Sequence, residues 1–244
     1  MLKIIAEGPD GKYTLSQLLQ IMKALRSPDG CPWDREQTHQ SIKNDALEEV
    51  YEVVDAIDNN DAVALCEELG DMLLQVVFHS SIAEEENEFT FDEVVDGVSK
   101  KLVLRHPHVF GETSVENSSE VLDLWDSIKK QEKSQTTVTD TLSSVPKAFP
   151  ALMRAAKVQK RAKKAGVTEV VSLEQLKDKL SSFESALNTV GGEELKKTYG
   201  ELLFALAGMQ ETVKINAEEA LNSVTDAFIK NIEQAEKADR LFKL

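Results

Sequence analysis

Residues 47–77, LEEVYEVVDAIDNNDAVALCEELGDMLLQVV, carry nine carboxylates between apolar ends. Two spacings matter chemically. Glu49 and Glu52 are three residues apart, as are Glu68 and Asp71, so each pair would be neighbours on a helix. Glu48 stands beside the first pair. The turn sequence DNND (58–61) separates the two segments. In an antiparallel hairpin, residues sharing an index sum face each other. Glu52 with Glu68, and Glu49 with Asp71, both sum to 120. The two pairs then lie level, about two turns from the loop. Like charges so placed raise one another's pKa or force the helices apart. A hard divalent cation removes the conflict, and four oxygens with open positions suit Mg²⁺, which keeps waters and takes phosphate oxygens. A solvated acidic face would account for ExxE alone, but less well for mirrored ExxE and ExxD on an otherwise apolar helix. A di-iron centre wants Glu-x-x-His on two helices, and only Glu36 and His39 have that spacing, ahead of the hairpin.

The elements that must hold these acids read as helices. On a 100° wheel Leu47, Val50, Val54 and Ile57 form one apolar stripe, with the acids opposite. Leu65, Leu69, Met72, Leu73, Leu74, Val76 and Val77 cover most of the second helix, which predicts burial nearly all round. LSQLLQIMKALR (15–26), capped by Thr14 or Ser16, predicts a helix ending at SPDG. Further helices are expected over FDEVVDGVSKKLVLR, stopped by Pro107 and Gly111, over SSEVLDLWDSIKKQEK, and over most of 148–244. No alternating β pattern appears, so the fold class is all-α. Residues 133–147 are Ser/Thr-rich without helical period and predict a linker between a first unit, 1–132, and a second, 148–244.

The chain has 244 residues and a formal net charge of −15. Such a surface repels nucleic-acid backbones and anionic lipid, which argues against a polymeric nucleic-acid partner. Cys31 and Cys66 lack metal-ligand spacing and read as small buried residues in a reducing compartment. No stretch approaches the roughly 20 apolar residues of a membrane span. A cytoplasmic protein without membrane partners is expected.

LRSPDGCPWDREQTHQSI, EExxE at 48–52, ExxD at 68–71, RHPHVFG and a late Trp-x-x-x-Lys together resemble MazG-type nucleoside triphosphate pyrophosphohydrolases. The resemblance is continuous over about residues 15–132 and weaker beyond. It implies an all-α helix bundle that dimerises, or assembles further, through its helices. It also implies Mg²⁺-dependent cleavage of a nucleoside triphosphate between the α and β phosphates to a monophosphate and pyrophosphate, a nucleotide-pool house-cleaning reaction. By motif position Glu49, Glu52, Glu68 and Asp71 would hold Mg²⁺, and Glu48 would help orient the attacking water.

A site built from acids needs cations to offset a polyanionic substrate. Lys101 and Arg105, at i,i+4 before HPHVFG, could clamp phosphates or lie on a solvated face. Trp125 could stack on a base or pack in a core or interface. The resemblance matches these three positions to nucleotide contacts. Trp33 in CPWD sits on what reads as a rigid loop after Gly30, and base stacking and packing are both open to it. His39, His106 and His108 read as structural.

GELLFAL (200–206) resembles GDMLLQV (70–76), so the second unit reads as a diverged copy of the first. Alignment puts Ser182, Ser185 and Thr198 where Glu49, Glu52 and Glu68 stand, with Glu201 at the place of Asp71. Hydroxyls are poor ligands for a hard dication, so one working site per chain is expected, in the first unit. The alternative for the whole chain is a non-catalytic regulatory module that binds Mg²⁺ or nucleotide.

Overall fold

The computed structural model describes residues 10–132, 137–189 and 192–237. All regular structure in them is helical. In chain order the helices are α1 (Leu15–Leu25), α2 (Pro32–Glu36), α3 (Asp45–Asp58), α4 (Ala62–Glu85), α5 (Phe91–Arg105), α6 (Pro107–Phe110), α7 (Ser118–Glu132), α8 (Val138–Ser143), α9 (Ala151–Lys164), α10 (Leu173–Thr189), α11 (Glu193–Gly208), α12 (Gln210–Val213) and α13 (Ala217–Lys237). The chain divides into two compact units between Ile128 and Lys129, within α7. Among the described residues no helix is long and apolar enough to cross a membrane.

The first unit is organised by α4, a 24-residue helix, about 36 Å long at 1.5 Å per residue. Its N-terminal half pairs with α3 and its C-terminal half with α1 and α5. Leu18, Leu19 and Met22 of α1 meet Leu74, Val77, Phe78 and Ile82 of α4, and Ile42 and Phe91 complete the core. Full burial of each such side chain contributes about 1.5–3 kcal/mol. Local signals set the ends. Thr14 and Gln17 form a capping box on α1, and Thr90 and Glu93 form another on α5; each cap stabilises by about 1 kcal/mol. The 58–61 turn closes with Asn60 at φ 54°, while Asp61 Oδ1 accepts from the Val63 and Ala64 N–H groups at 3.0 Å each.

Arg26, its side chain only 4% exposed, ties three segments together. It forms a two-pronged ion pair with Glu85 at 2.8 and 2.7 Å. It also donates to the Asp34 and Gln37 carbonyls and lies over the Phe78 ring. A second tie joins His39, ahead of α3, to His79 of α4, Nδ1 to Nδ1 at 2.7 Å. Burial, then the neighbouring His39, holds His79 below the usual imidazole range.

Several sequence expectations are corrected. CPWD is no loop: Pro32 occupies the first turn of α2, the position that suits a residue with fixed φ and no N–H. Gly30 is required just before it, since a Cβ there would run into the Leu25 carbonyl. Within 133–147, residues 133–136 lie outside the described residues, but Val138–Ser143 is a helix, nucleated by a Thr137–Asp140 capping box. Cys66 is exposed and Cys31 half-buried, so neither is a core residue.

The largest correction concerns the apolar faces of the hairpin. Leu47, Val50, Val54 and Ile57 are 44–53% exposed, and Leu69, Met72, Leu73 and Val76 are 36–48% exposed. One chain supplies α3 and α4 with each other and little else at this level, so the outer apolar face of the hairpin has no cover within the unit.

In the second unit α10 and α11 form another hairpin, with α9 packed against α11. An open cavity of about 1040 Å³ lies between them, walled by Val158, Ala162, Val171 and Phe204, with Lys179 and Glu201 on its lining.

Candidate metal centre

The α3–α4 pairing brings the four carboxylates together in the facing order that the index sums predict. Glu52 faces Glu68 closely enough for its charge, and a side-chain hydrogen bond, to bear on the Glu68 carboxyl. Asp71 is the charge that acts most strongly on Glu49. Oxygens of Glu49, Glu68 and Asp71 lie within 4.8 Å of one another, and all three residues are half-buried.

The electrostatics are those of a crowded anionic site. Lost hydration, and then Asp71 and Glu52, raise Glu49 above the ordinary carboxylate range. Lost hydration, and then Glu52, Glu67 and Asp71, do the same to Glu68. The donor set is all oxygen, anionic and partly open, which fits a hard dication such as Mg²⁺.

Gln75 was not singled out by sequence reasoning. It lies one turn beyond Asp71 on α4, and its amide hydrogen-bonds Glu49, which favours the ionised form there. Its Oε1 is buried without a protein partner, an acceptor left open beside the acids. The signal was present as i,i+4 spacing from Asp71, but an amide in an apolar helix gave it no weight. Gln75→Leu should lower Mg²⁺ affinity about tenfold by releasing Glu49 from its orienting donor, as losses of outer hydrogen bonds do at metal sites. Calorimetric titration checks this, and unchanged affinity would remove Gln75 from the site.

The raised groups also set a pH dependence. Because Glu49 and Glu68 titrate above their ordinary value of 4.5, they favour the metal-free fold at low pH. That contribution is lost as pH rises through the raised values. Cation binding requires the ionised forms, so Mg²⁺ affinity should fall on acidification while still above pH 4.5. Melting curves with and without Mg²⁺ should therefore diverge toward neutral pH and converge in mild acid.

A family model described as the MazG nucleotide pyrophosphohydrolase domain matches residues 37–110, which contain the whole hairpin. The chain is 40% identical over 230 residues to the nucleoside triphosphate pyrophosphohydrolase of Escherichia coli (strain K12), covering 91% of this chain and 87% of that one. The chain belongs to the MazG family. It is also 36% identical over 225 residues to the nucleoside triphosphate pyrophosphohydrolase/pyrophosphatase MazG of Thermotoga maritima, covering 91% and 85% of the two chains. A solved MazG-related protein from Thermotoga maritima is 28% identical, with a TM-score of 0.41, over 48% of this chain.

The remaining candidates of this MazG chain lie elsewhere on the first unit. Glu48 is exposed on α3, adjacent in sequence to Glu49. Arg105 lies over the Trp125 ring at 5.4 Å, and His106 meets the same indole edge-on at 4.9 Å. The Trp125 ring of α7 is thus held against the end of α5. Lys101 is exposed one turn before Arg105. Trp33, 58% exposed, packs edge-on against Phe78, seven residues or about 10 Å along α4 from Asp71.

In the α10–α11 hairpin Ser182, Ser185 and Thr198 each donate to carbonyls of their own helices. Glu201 pairs with Lys179 at 2.9 Å, and that hydrogen bond and charge hold its carboxyl below the ordinary range.

Proposed function

We propose that this MazG chain hydrolyses nucleoside triphosphates between the α and β phosphates, releasing a nucleoside monophosphate and pyrophosphate, as a nucleotide-pool house-cleaning enzyme. The observation that carries this reading is the convergence of Glu49, Glu68 and Asp71 across one helical hairpin, with Glu52 close enough for its charge to help raise Glu49 and Glu68. These four would hold Mg²⁺, which when bound neutralises triphosphate charge and acidifies water. Water attacks the α phosphorus as the bond to the bridging oxygen breaks and pyrophosphate leaves. Glu48, beside the ligands, takes the proton of the attacking water. Lys101 and Arg105 balance the outer phosphates, while the planes of Trp125 and Trp33 are offered to the base. The second unit carries no working metal centre and serves assembly.

Product analysis with the eight standard NTPs and dNTPs, with Mg²⁺ or EDTA, tests the reaction. Monophosphate plus pyrophosphate, lost in EDTA, supports it. Diphosphate plus phosphate would assign the acids to a different cleavage, and nucleotide-induced stabilisation without turnover would make the chain a binding module.

The working form is a homodimer or larger homo-oligomer that covers the exposed hairpin stripe. Val50→Asp with Leu73→Asp should shift the chain to a monomer in sedimentation. Each buried apolar residue so replaced costs roughly 2 kcal/mol of association or more. An unchanged sedimentation coefficient would leave the stripe without a partner copy.

A further inference from the structure

The acidic run at the end of α4 is unequally partnered. Glu84 pairs with Lys23 at 3.2 Å and Glu85 with Arg26 at 2.7 Å. Glu86 and Glu88 have no cationic partner among the described residues. The helix end gathers these two acids. Asn87 is left-handed at φ 58°, and the Glu88 N–H donates back to the Ala83 carbonyl at 2.9 Å, the closure that an αL residue makes at a helix terminus.

A third group meets them from a distant part of the sequence. One ring nitrogen of His39 and one oxygen each of Glu86 and Glu88 lie within 4.8 Å of one another. The His39 ring is fixed, because its Nδ1 sits 2.7 Å from Nδ1 of His79 and the two ring planes differ by 11°. With His39 donating its Nδ1–H to His79, Nε2 of His39 keeps a lone pair. Metal-binding imidazoles are oriented in this way, by the other ring N–H held on an acceptor.

We infer that His39, Glu86 and Glu88 form a second cation site, distinct from the carboxylate hairpin and suited to a first-row transition dication such as Zn²⁺. An imidazole beside two carboxylates favours such ions, whereas Mg²⁺ prefers oxygen alone. The C-terminal end of α4 adds the negative pole of its dipole. Fourteen residues of helix separate Asp71 from Glu85, about 20 Å, so the two sites take their ions independently. An ion here would pin the segment ahead of α3 to the end of α4 and brace both approaches to the hairpin. The inference does not depend on the hydrolytic reading.

Zn²⁺ alone is the probe. The full-length chain carrying Glu68→Gln and Asp71→Asn, which disables the hairpin, is titrated by calorimetry, and the four imidazoles are followed by ¹⁵N spectroscopy. The expected result is one Zn²⁺ per chain, a large shift at a His39 ring nitrogen, and at least tenfold weaker binding when Glu86→Gln and Glu88→Gln are added. Both glutamates are exposed, so this second pair of changes leaves the fold intact, and circular dichroism verifies that. Absence of binding overturns the site. So does Zn²⁺ that perturbs His106 or His108 instead, or binding indifferent to the two glutamines.

Discussion

Glu52→Gln should abolish Mg²⁺-dependent hydrolysis and, in the same chain without metal, raise the melting temperature. The two effects have one cause. Glu52 presses on both Glu49 and Glu68, and its charge helps to raise each of them. Gln is close to isosteric with Glu, keeps a hydrogen-bonding group for Glu68 and removes one negative charge, so the metal-free hairpin relaxes. The same change removes an anionic ligand, for which a loss of about a thousandfold in kcat/KM, roughly 4 kcal/mol, is expected. Added Mg²⁺ should then stabilise the variant less than the parent chain. Paired melting curves and product assays decide the matter. A variant that loses both activity and metal-free stability would make Glu52 a structural residue.

The largest effect on stability is expected at Arg26. Arg26→Ala removes a buried guanidinium that satisfies Glu85 and the Asp34 and Gln37 carbonyls and covers Phe78. Loss of one partner from a buried ion pair costs about 3–5 kcal/mol. Glu85 is 48% exposed and rehydrates, which brings the expected cost to about 3 kcal/mol. Denaturant unfolding would report this as a lower midpoint. Arg26→Lys should recover only part of the loss, because an ammonium cannot bond both Glu85 oxygens side by side while reaching the two carbonyls. A loss under about 1 kcal/mol would mean that the three segments hold without the guanidinium.

Much of this could be read from the sequence because hairpin geometry is local. Helical period and the 58–61 turn fix which side chains of α3 and α4 face each other, and Thr14 and Thr90 mark helix starts through capping boxes. Other features were hidden because their partners are distant. Nothing at His39 announces His79, forty residues on, and Gln75 acquires meaning only beside Glu49. Periodicity also separates apolar from polar faces without saying what covers them, so Val50 and Leu73 read as buried although 44% and 40% of their surface stays open in one chain. The Ser/Thr composition around α8 masked a six-residue helix whose stability rests on its cap.

The ion pair of Lys179 with Glu201 has a consequence for how the two halves respond to their surroundings. With the proposed Mg²⁺ site, the first hairpin would recruit its counter-charge from solution, and its cohesion should follow the free magnesium concentration. The second carries its counter-charge on a side chain, at an effective concentration that no chelator can lower. Depletion of divalent ions should therefore loosen the first hairpin and leave the second unchanged.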